Sequence, residues 1–218
     1  MARPSITRFG VEEISQLKLR CSKFTDQIVP LSNLVPKQDA SKKTKSASVL
    51  IPLCNFKGVP SVIFTLRSAT VGTHKGQVSF PGGHMNEDES AVDAAIRESI
   101  EELGSGIGEI EIVGQCQTIP AVTGTMVTPI IGFLKYSYDD FSCFTPNACE
   151  VDRVFIRSLD QLLDPDYKTI ETYERNGKVM SLPVFGAHEK EERIWGLTAF
   201  ILQGVLDQVI LPSESSKA

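Results

Sequence analysis

The chain has 218 residues, 41% of them hydrophobic and 22% charged, with a formal net charge of −5. That length suits one α/β domain with a substantial core, and the composition is ordinary for a globular protein. The acidic balance argues against general nucleic-acid binding, and no apolar run reaches the roughly 18 residues that a membrane span requires.

In chain order, residues 10–28 read as a helix, with Val11, Ile14, Leu17 and Cys21 at helical spacing. Residues 29–46 form a polar connector carrying Lys42, Lys43 and Lys45, read as a solvated loop rather than a phosphate site. From Ala47 the pattern changes. Runs 47–54 and 61–66 are β-branched and divided by Lys57-Gly58-Val59-Pro60, which predicts a hairpin. Residues 77–80 form a short apolar lead into a Pro81-Gly82-Gly83 turn. Further strands are predicted over 111–119, 126–135 and 150–156, then a short helix over 158–163. Segments 168–172 and 178–182 pair around Asn176-Gly177, a hairpin signal. An amphipathic helix over 195–209 closes the chain, with Trp195 read as a core residue. No internal repeat is present. The expected organisation is an N-terminal helix and connector (1–45), one domain (46–210) and a tail (211–218). Mixed strands with a central and a terminal helix predict an α/β fold, an α/β/α sandwich around a mixed sheet.

The stretch that organises the rest is Gly83 to Gly104. Acidic loop residues Glu87, Asp88 and Glu89 follow the glycines, and Ser90 to Leu103 reads as a helix with Ser90 as N-cap and Gly104 as its stop. At roughly 100° per residue, Val92, Ile96, Ile100 and Leu103 share an apolar stripe, while Glu98, Glu101 and Glu102 gather on the other side. A Glu-rich helix face is commonly a solvated one. Here the preceding Pro-Gly-Gly turn brings backbone carbonyls beside that face, and Arg97 lies between Asp93 and Glu101 to orient it. Three gathered carboxylates call for a positive partner, and hard oxygen donors suit Mg²⁺ or Mn²⁺.

Gly83, Glu89 and the run Arg97-Glu98-Ser99-Ile100-Glu101-Glu102-Leu103-Gly104 stand at the spacing of the Nudix box, which this stretch resembles. Ser99 and Ser105 occupy positions where that motif commonly carries an aliphatic residue. The resemblance implies a Nudix-like fold and metal-dependent hydrolysis of a nucleoside diphosphate linked to another group. It implies Glu98 and Glu102 as metal ligands, Glu101 next, and the Gly83 carbonyl as a further donor. Arg97 orients carboxylates, Glu89 among them. The general base is left open between Glu101 and Glu150.

Upstream, Ile63-Phe64-Thr65-Leu66-Arg67-Ser68 and Gly76-Gln77-Val78-Ser79-Phe80-Pro81-Gly82-Gly83 resemble a second signature, that of the coenzyme A diphosphatases of the Nudix family. A basic position usual in that signature falls on Gly72. Segments 127–129, 147–155 and 193–199 are also similar to this subfamily. The resemblance implies coenzyme A or acyl-coenzyme A as substrate, with 4′-phosphopantetheine and adenosine 3′,5′-bisphosphate as products. Arg67, Lys75 and Phe80 are then the substrate-binding candidates, the two cations for the 3′-phosphate. The competing readings are a Nudix diphosphatase acting on NADH or another nucleoside diphosphate derivative, and a non-catalytic nucleotide-binding module.

Five cysteines, with no CxxC pair, read as scattered thiols of a reducing compartment, and His74, His84 and His188 are too far apart in sequence to complete a zinc site. The first ten residues contain Arg3, Arg8 and no acid, but Glu12 and Glu13 follow. The last three residues, Ser216-Lys217-Ala218, differ from the peroxisomal S-K-L address only in the final residue. The expected compartment is the peroxisome, with its import receptor as a partner and the mitochondrion or cytosol as alternatives.

Overall fold

The computed structural model describes residues 6–24, 44–69, 76–175, 178–189 and 192–211. The predicted hairpin founds the sheet: β1 (Ser46–Phe56) turns back through Lys57-Gly58 into β2 (Val59–Arg67). Both turn residues have positive φ, 51° and 77°, the two-residue geometry whose twist matches an antiparallel pair. β7 (Met126–Tyr138) lies parallel to β1, with Ser46 opposite Met126 and Leu53 opposite Phe133. β5 (Ile110–Gln115) and the short β6 (Ile119–Pro120) extend β7 antiparallel. On the other side β2 pairs with β8 (Val151–Ser158) and with β3 (Val78–Ser79), and β4 (Gly82–His84) adds to the start of β1. The sheet is therefore mixed, as expected.

β1, β2 and β7 are buried almost continuously instead of alternating, because helices cover both faces of the sheet. On one face, α1 (Val11–Phe24) and α4 (Gly196–Val205) share a cluster with Ile51, Leu53, Phe64 and Phe133. On the other, α2 (Ala91–Leu103) covers Leu50 and Ile130, and its end meets Cys54, Ile63 and Leu134. The α/β/α sandwich is thus observed. α3 (Leu159–Leu163), capped by Ser158, follows β8. β9 (Lys168–Arg175) and β10 (Lys178–Phe185) form a separate antiparallel ribbon, and the expected turn at Asn176-Gly177 lies outside the described residues.

Several expectations are corrected. α1 buries Ile14, Leu17 and Cys21, but Val11 is 89% exposed. Phe9 takes the place expected for Val11: its ring meets Phe133 at 5.9 Å, and Asn55 clamps its backbone with two hydrogen bonds of 2.9 Å. Residues 25–28 of the predicted helix lie outside the described residues. The last helix starts at Gly196 and widens into a π turn over Leu206–Ile210, whose carbonyls at Val209 and Ile210 accept from Arg20 of α1. Trp195 is no core residue: it stands extended before α4, partly exposed, stacked on Tyr173. All five cysteines are free thiols.

Candidate active site

Two glycines bring the sheet and α2 within touching distance. Gly82 has φ 152°, and a Cβ there would lie 2.3 Å from the Ser48 carbonyl oxygen. At Gly83 a Cβ would lie 2.3 Å from Glu98 Oε2, so the Glu98 carboxylate rests directly on the glycine backbone. α2 begins where Ser90 Oγ accepts from the Asp93 N–H at 3.1 Å. Its sheet-facing side is small: Ala94, Ala95 and Ser99 are buried, and Ser99 satisfies its hydroxyl by donating to Ala95 O at 2.6 Å.

This rotates the helix away from the expected projection, although Leu103 of the apolar stripe is buried and Glu101 of the other side is exposed as expected. Ile100, placed on the inward stripe, is 40% exposed, while Glu102, placed outward, is buried beside Leu103. The reason is steric. Small side chains let the helix approach the Gly82-Gly83 strand, and that approach turns Glu98 and Glu102 toward the protein. Ser99 and Glu102 ride inward together because they lie three apart on one face.

Arg97 ties the acidic loop to the helix. Its Nε and Nη2 donate to the two oxygens of Glu89 at 2.7 and 2.9 Å, a bidentate pair. Nη1 donates to Glu98 Oε1 at 2.7 Å and reaches Glu101 at 3.4 Å, and Nη2 also donates to His84 O at 3.1 Å. Glu89 also accepts from the Asn86 N–H at 2.9 Å. The Arg97 guanidinium, followed by the Asn86 N–H, holds the Glu89 carboxyl down at about 2. The structure therefore pairs Arg97 with Glu89 and Glu98.

Glu102 has a different environment. It is 1% exposed. Its Oε1 faces Arg67 Nη1 at 3.5 Å, and its Oε2 is buried with no hydrogen-bond partner among the described residues. Burial pushes its pKa up to about 8; Arg67 and the Gly82 N–H oppose the rise, while Glu150 and Glu98 add to it by like-charge repulsion. Glu150 arrives from the turn before β8, where Ser68 N–H donates to its carbonyl at 2.9 Å. The open end of α2 is closed by the same loop: Thr145 N–H donates to Leu103 O at 2.9 Å and Asn147 N–H to Glu102 O at 3.2 Å.

Glu98, Glu102, Glu150, Arg67, Arg97 and Gly83 are thus brought together. Glu101 stands apart, with its side chain 52% exposed and its contact directed at Arg97. Phe80 offers no face to a ligand. Its ring is buried and stacked on Phe64 at 5.2 Å, which in turn stacks on Phe155 at 5.5 Å. The expectation of substrate contact there is corrected, because the residue before a strand-to-strand turn points into the core. Lys75 and His74 lie outside the described residues. Asn147 carried no role in the sequence reading. The usable signal was an Asn two residues before Cys149, the spacing of a local side-chain-to-backbone turn, with Glu150 next in the chain.

Among the described residues, no three His, Cys, Asp or Glu side chains close into a ready-made metal cage. The donors present still fit a divalent cation. A buried carboxylate with an unpartnered oxygen, beside a second carboxylate resting on Gly83, is short of positive charge. Mg²⁺ is commonly held by one or two carboxylates together with waters and substrate phosphates, so an open pair suits it better than a closed cage.

The NUDIX domain family matches residues 44–175. The mitochondrial coenzyme A diphosphatase NUDT8 of Homo sapiens is 38% identical over 172 residues, covering 77% of this chain and 70% of its own length. The Nudix hydrolase NudL of Escherichia coli K12 is 32% identical over 167 residues, covering 76% of this chain and 83% of its own. A MutT/nudix family protein from Enterococcus faecalis superposes with a TM-score of 0.51 at 14% identity, covering 93% of this chain and 76% of that one, which supports the fold alone. The family match, the relatives and the glycine-supported carboxylate helix agree: the chain belongs to the Nudix family.

Proposed function

We propose that this chain is a metal-dependent Nudix diphosphatase that cleaves the pyrophosphate bond of coenzyme A and its derivatives, giving 4′-phosphopantetheine and adenosine 3′,5′-bisphosphate. The observation that carries the hydrolytic reading is Glu102, buried, with one oxygen unpartnered among the described residues, beside Glu98, Glu150 and Arg67. The coenzyme A reading is supported by the upstream signature around Arg67 and Phe80 and by the names of the human and mouse relatives.

Glu98 and Glu102 are the residues to hold Mg²⁺ or Mn²⁺, with Gly83 giving its backbone close access. When bound, the cation supplies neutralisation of pyrophosphate charge and a water of lowered pKa. Arg97 keeps Glu98 and Glu89 in place and needs no contact with substrate. Arg67, its side chain partly exposed beside Glu102, is the candidate to meet a substrate phosphate. Of the two candidate bases, Glu150 is favoured over Glu101: it shares the cluster with Glu102, whereas Glu101 lies outward on Arg97. The mitochondrion is favoured over the peroxisome as compartment, since the human and mouse relatives are named as mitochondrial.

Product analysis tests the proposal. Purified protein is incubated with coenzyme A and with NADH, each with Mg²⁺ or Mn²⁺. Adenosine 3′,5′-bisphosphate appearing far faster than AMP is the expected result. A preference for NADH would overturn the substrate assignment and keep the metal chemistry.

A further inference from the structure

Glu150 belongs to the same cluster as Glu102, which is buried. Glu150 is half-buried, so its carboxylate has a path out to water. A donor on its own loop opposes this: Asn147 Nδ2 donates to Glu150 Oε1 at 3.3 Å. Asn147 is itself held from four directions. Its N–H donates to Glu102 O at 3.2 Å, and its carbonyl accepts from the N–H groups of Glu150 and Val151 at 2.9 and 2.8 Å. Its Oδ1 accepts from the Cys149 N–H at 3.1 Å. That last bond fixes which way the amide faces. A flipped amide would set its NH₂ against the Cys149 N–H and its oxygen against the Glu150 carboxylate, opposing donor to donor and acceptor to acceptor.

We propose that Asn147 is a positioning residue for the hydrolytic step: its side-chain amide holds the Glu150 carboxylate toward Glu102 and the substrate, placed to accept a proton from the attacking water. The inference rests on the hydrolytic reading above and on Glu150 as the base. One residue links two parts of the site, since its backbone caps the end of α2 and its side chain sets the base. Glu150 is thereby registered against the helix that carries Glu98 and Glu102.

The test is a double-mutant cycle of Asn147→Asp and Glu150→Gln. Asn147→Asp keeps the acceptor for Cys149 and removes the donor. Its kcat is expected to fall about 10–100-fold, the usual cost of losing an orienting partner, with KM and Tm close to wild type. In the Glu150→Gln background the same change should cost nothing further, because the amide acts through Glu150. Asn147→Ser, which adds no charge, separates loss of the donor from gain of an anion and should show the same coupling. A crystal structure of metal-free Asn147→Asp should show the Glu150 carboxylate turned away from Glu102, a readout independent of turnover. Additive losses, wild-type kcat in Asn147→Asp, wild-type kcat in Glu150→Gln or an unmoved carboxylate would each overturn the proposal. If wild-type protein turns over another nucleoside diphosphate derivative but not coenzyme A, the substrate reading fails on its own, and the cycle is measured with that substrate.

Discussion

Two arginine–glutamate clusters flank β8, and their difference separates structural charge from chemical charge. Arg157 shares the α4-side face of β8 with Phe155 and is fully engaged. Its Nη2 meets Glu189 at 2.6 Å and also Glu192, its Nε donates to Tyr167 Oη at 2.8 Å, and its guanidinium lies 4.7 Å from the Phe155 ring. Among the described residues, each charged group there has its counterpart, Arg153 also meeting Glu192 at 3.3 Å. On the α2 side, among the described residues, Arg67 alone confronts Glu102, with Glu98 and Glu150 nearby and one carboxylate oxygen unpartnered. The same residue types thus build a closed clasp on one face and an unbalanced anionic site on the other. Only the second has a reason to bind a cation.

The largest effect expected is on turnover. Glu102→Gln or Glu98→Gln should lower kcat by about 10³-fold or more, since cation-held charge stabilisation is worth several kcal/mol. Circular dichroism should report an intact fold. Near-normal turnover in a folded variant would remove the distinction between the clusters.

Arg157→Leu should do the reverse. It strands Glu189 and Glu192, which are only partly exposed. Urea unfolding should show a loss of about 1–3 kcal/mol, below the fully buried limit because both carboxylates reach water. Its kcat should stay within about twofold of wild type, the expected mark of a purely structural cluster. Phe80→Leu belongs in the same class. It should lose about 1–3 kcal/mol of stability from the aromatic stack with KM unchanged, and a raised KM at full stability would restore its role in substrate contact.

The smallest effects are in pH dependence, and the two helix-associated carboxylates carry opposite signs. Glu102 is raised from 4.5 to about 8 in the folded protein, so the folded state holds the extra proton between those values. Its contribution to stability therefore falls as pH rises from about 4.5 through 8 in the absence of metal. Glu89 is lowered from 4.5 to about 2. Its contribution is present above about 4.5 and is lost as pH falls toward 2. Urea titrations in chelator across both windows should show each slope flattened by Glu102→Gln and Glu89→Gln respectively.

Much of this was legible in the chain. The Lys57-Gly58 turn between β-branched runs gave the founding hairpin, and Ser90 and Gly104 bounded α2 as observed. Spacing in the Gly83–Gly104 stretch led to the correct family. What helical periodicity got wrong was the orientation of α2, because that rule assigns the apolar side inward. Here Gly83, Ala94, Ala95 and Ser99 decide the approach, and the helix gives up burial of Ile100 to bring Glu102 inside. Local rules fail where a side chain serves chemistry at the cost of burial. Phe80 failed for the opposite reason: its place beside the motif suggested contact, while its ring belongs to the Phe64 stack. The bond from Asn147 to Glu150 depends on a loop folded against the end of α2, which only the three-dimensional structure displays.

The most direct test of the central claim is calorimetric titration of Mn²⁺ into metal-free protein at pH 7, in two buffers of different ionisation enthalpy. A carboxyl group with a pKa of about 8 must give up its proton to ligate a cation. The account predicts proton release on binding to wild-type protein, and weaker binding without that release for Glu102→Gln. Equal affinity and equal proton release in the two proteins would contradict it.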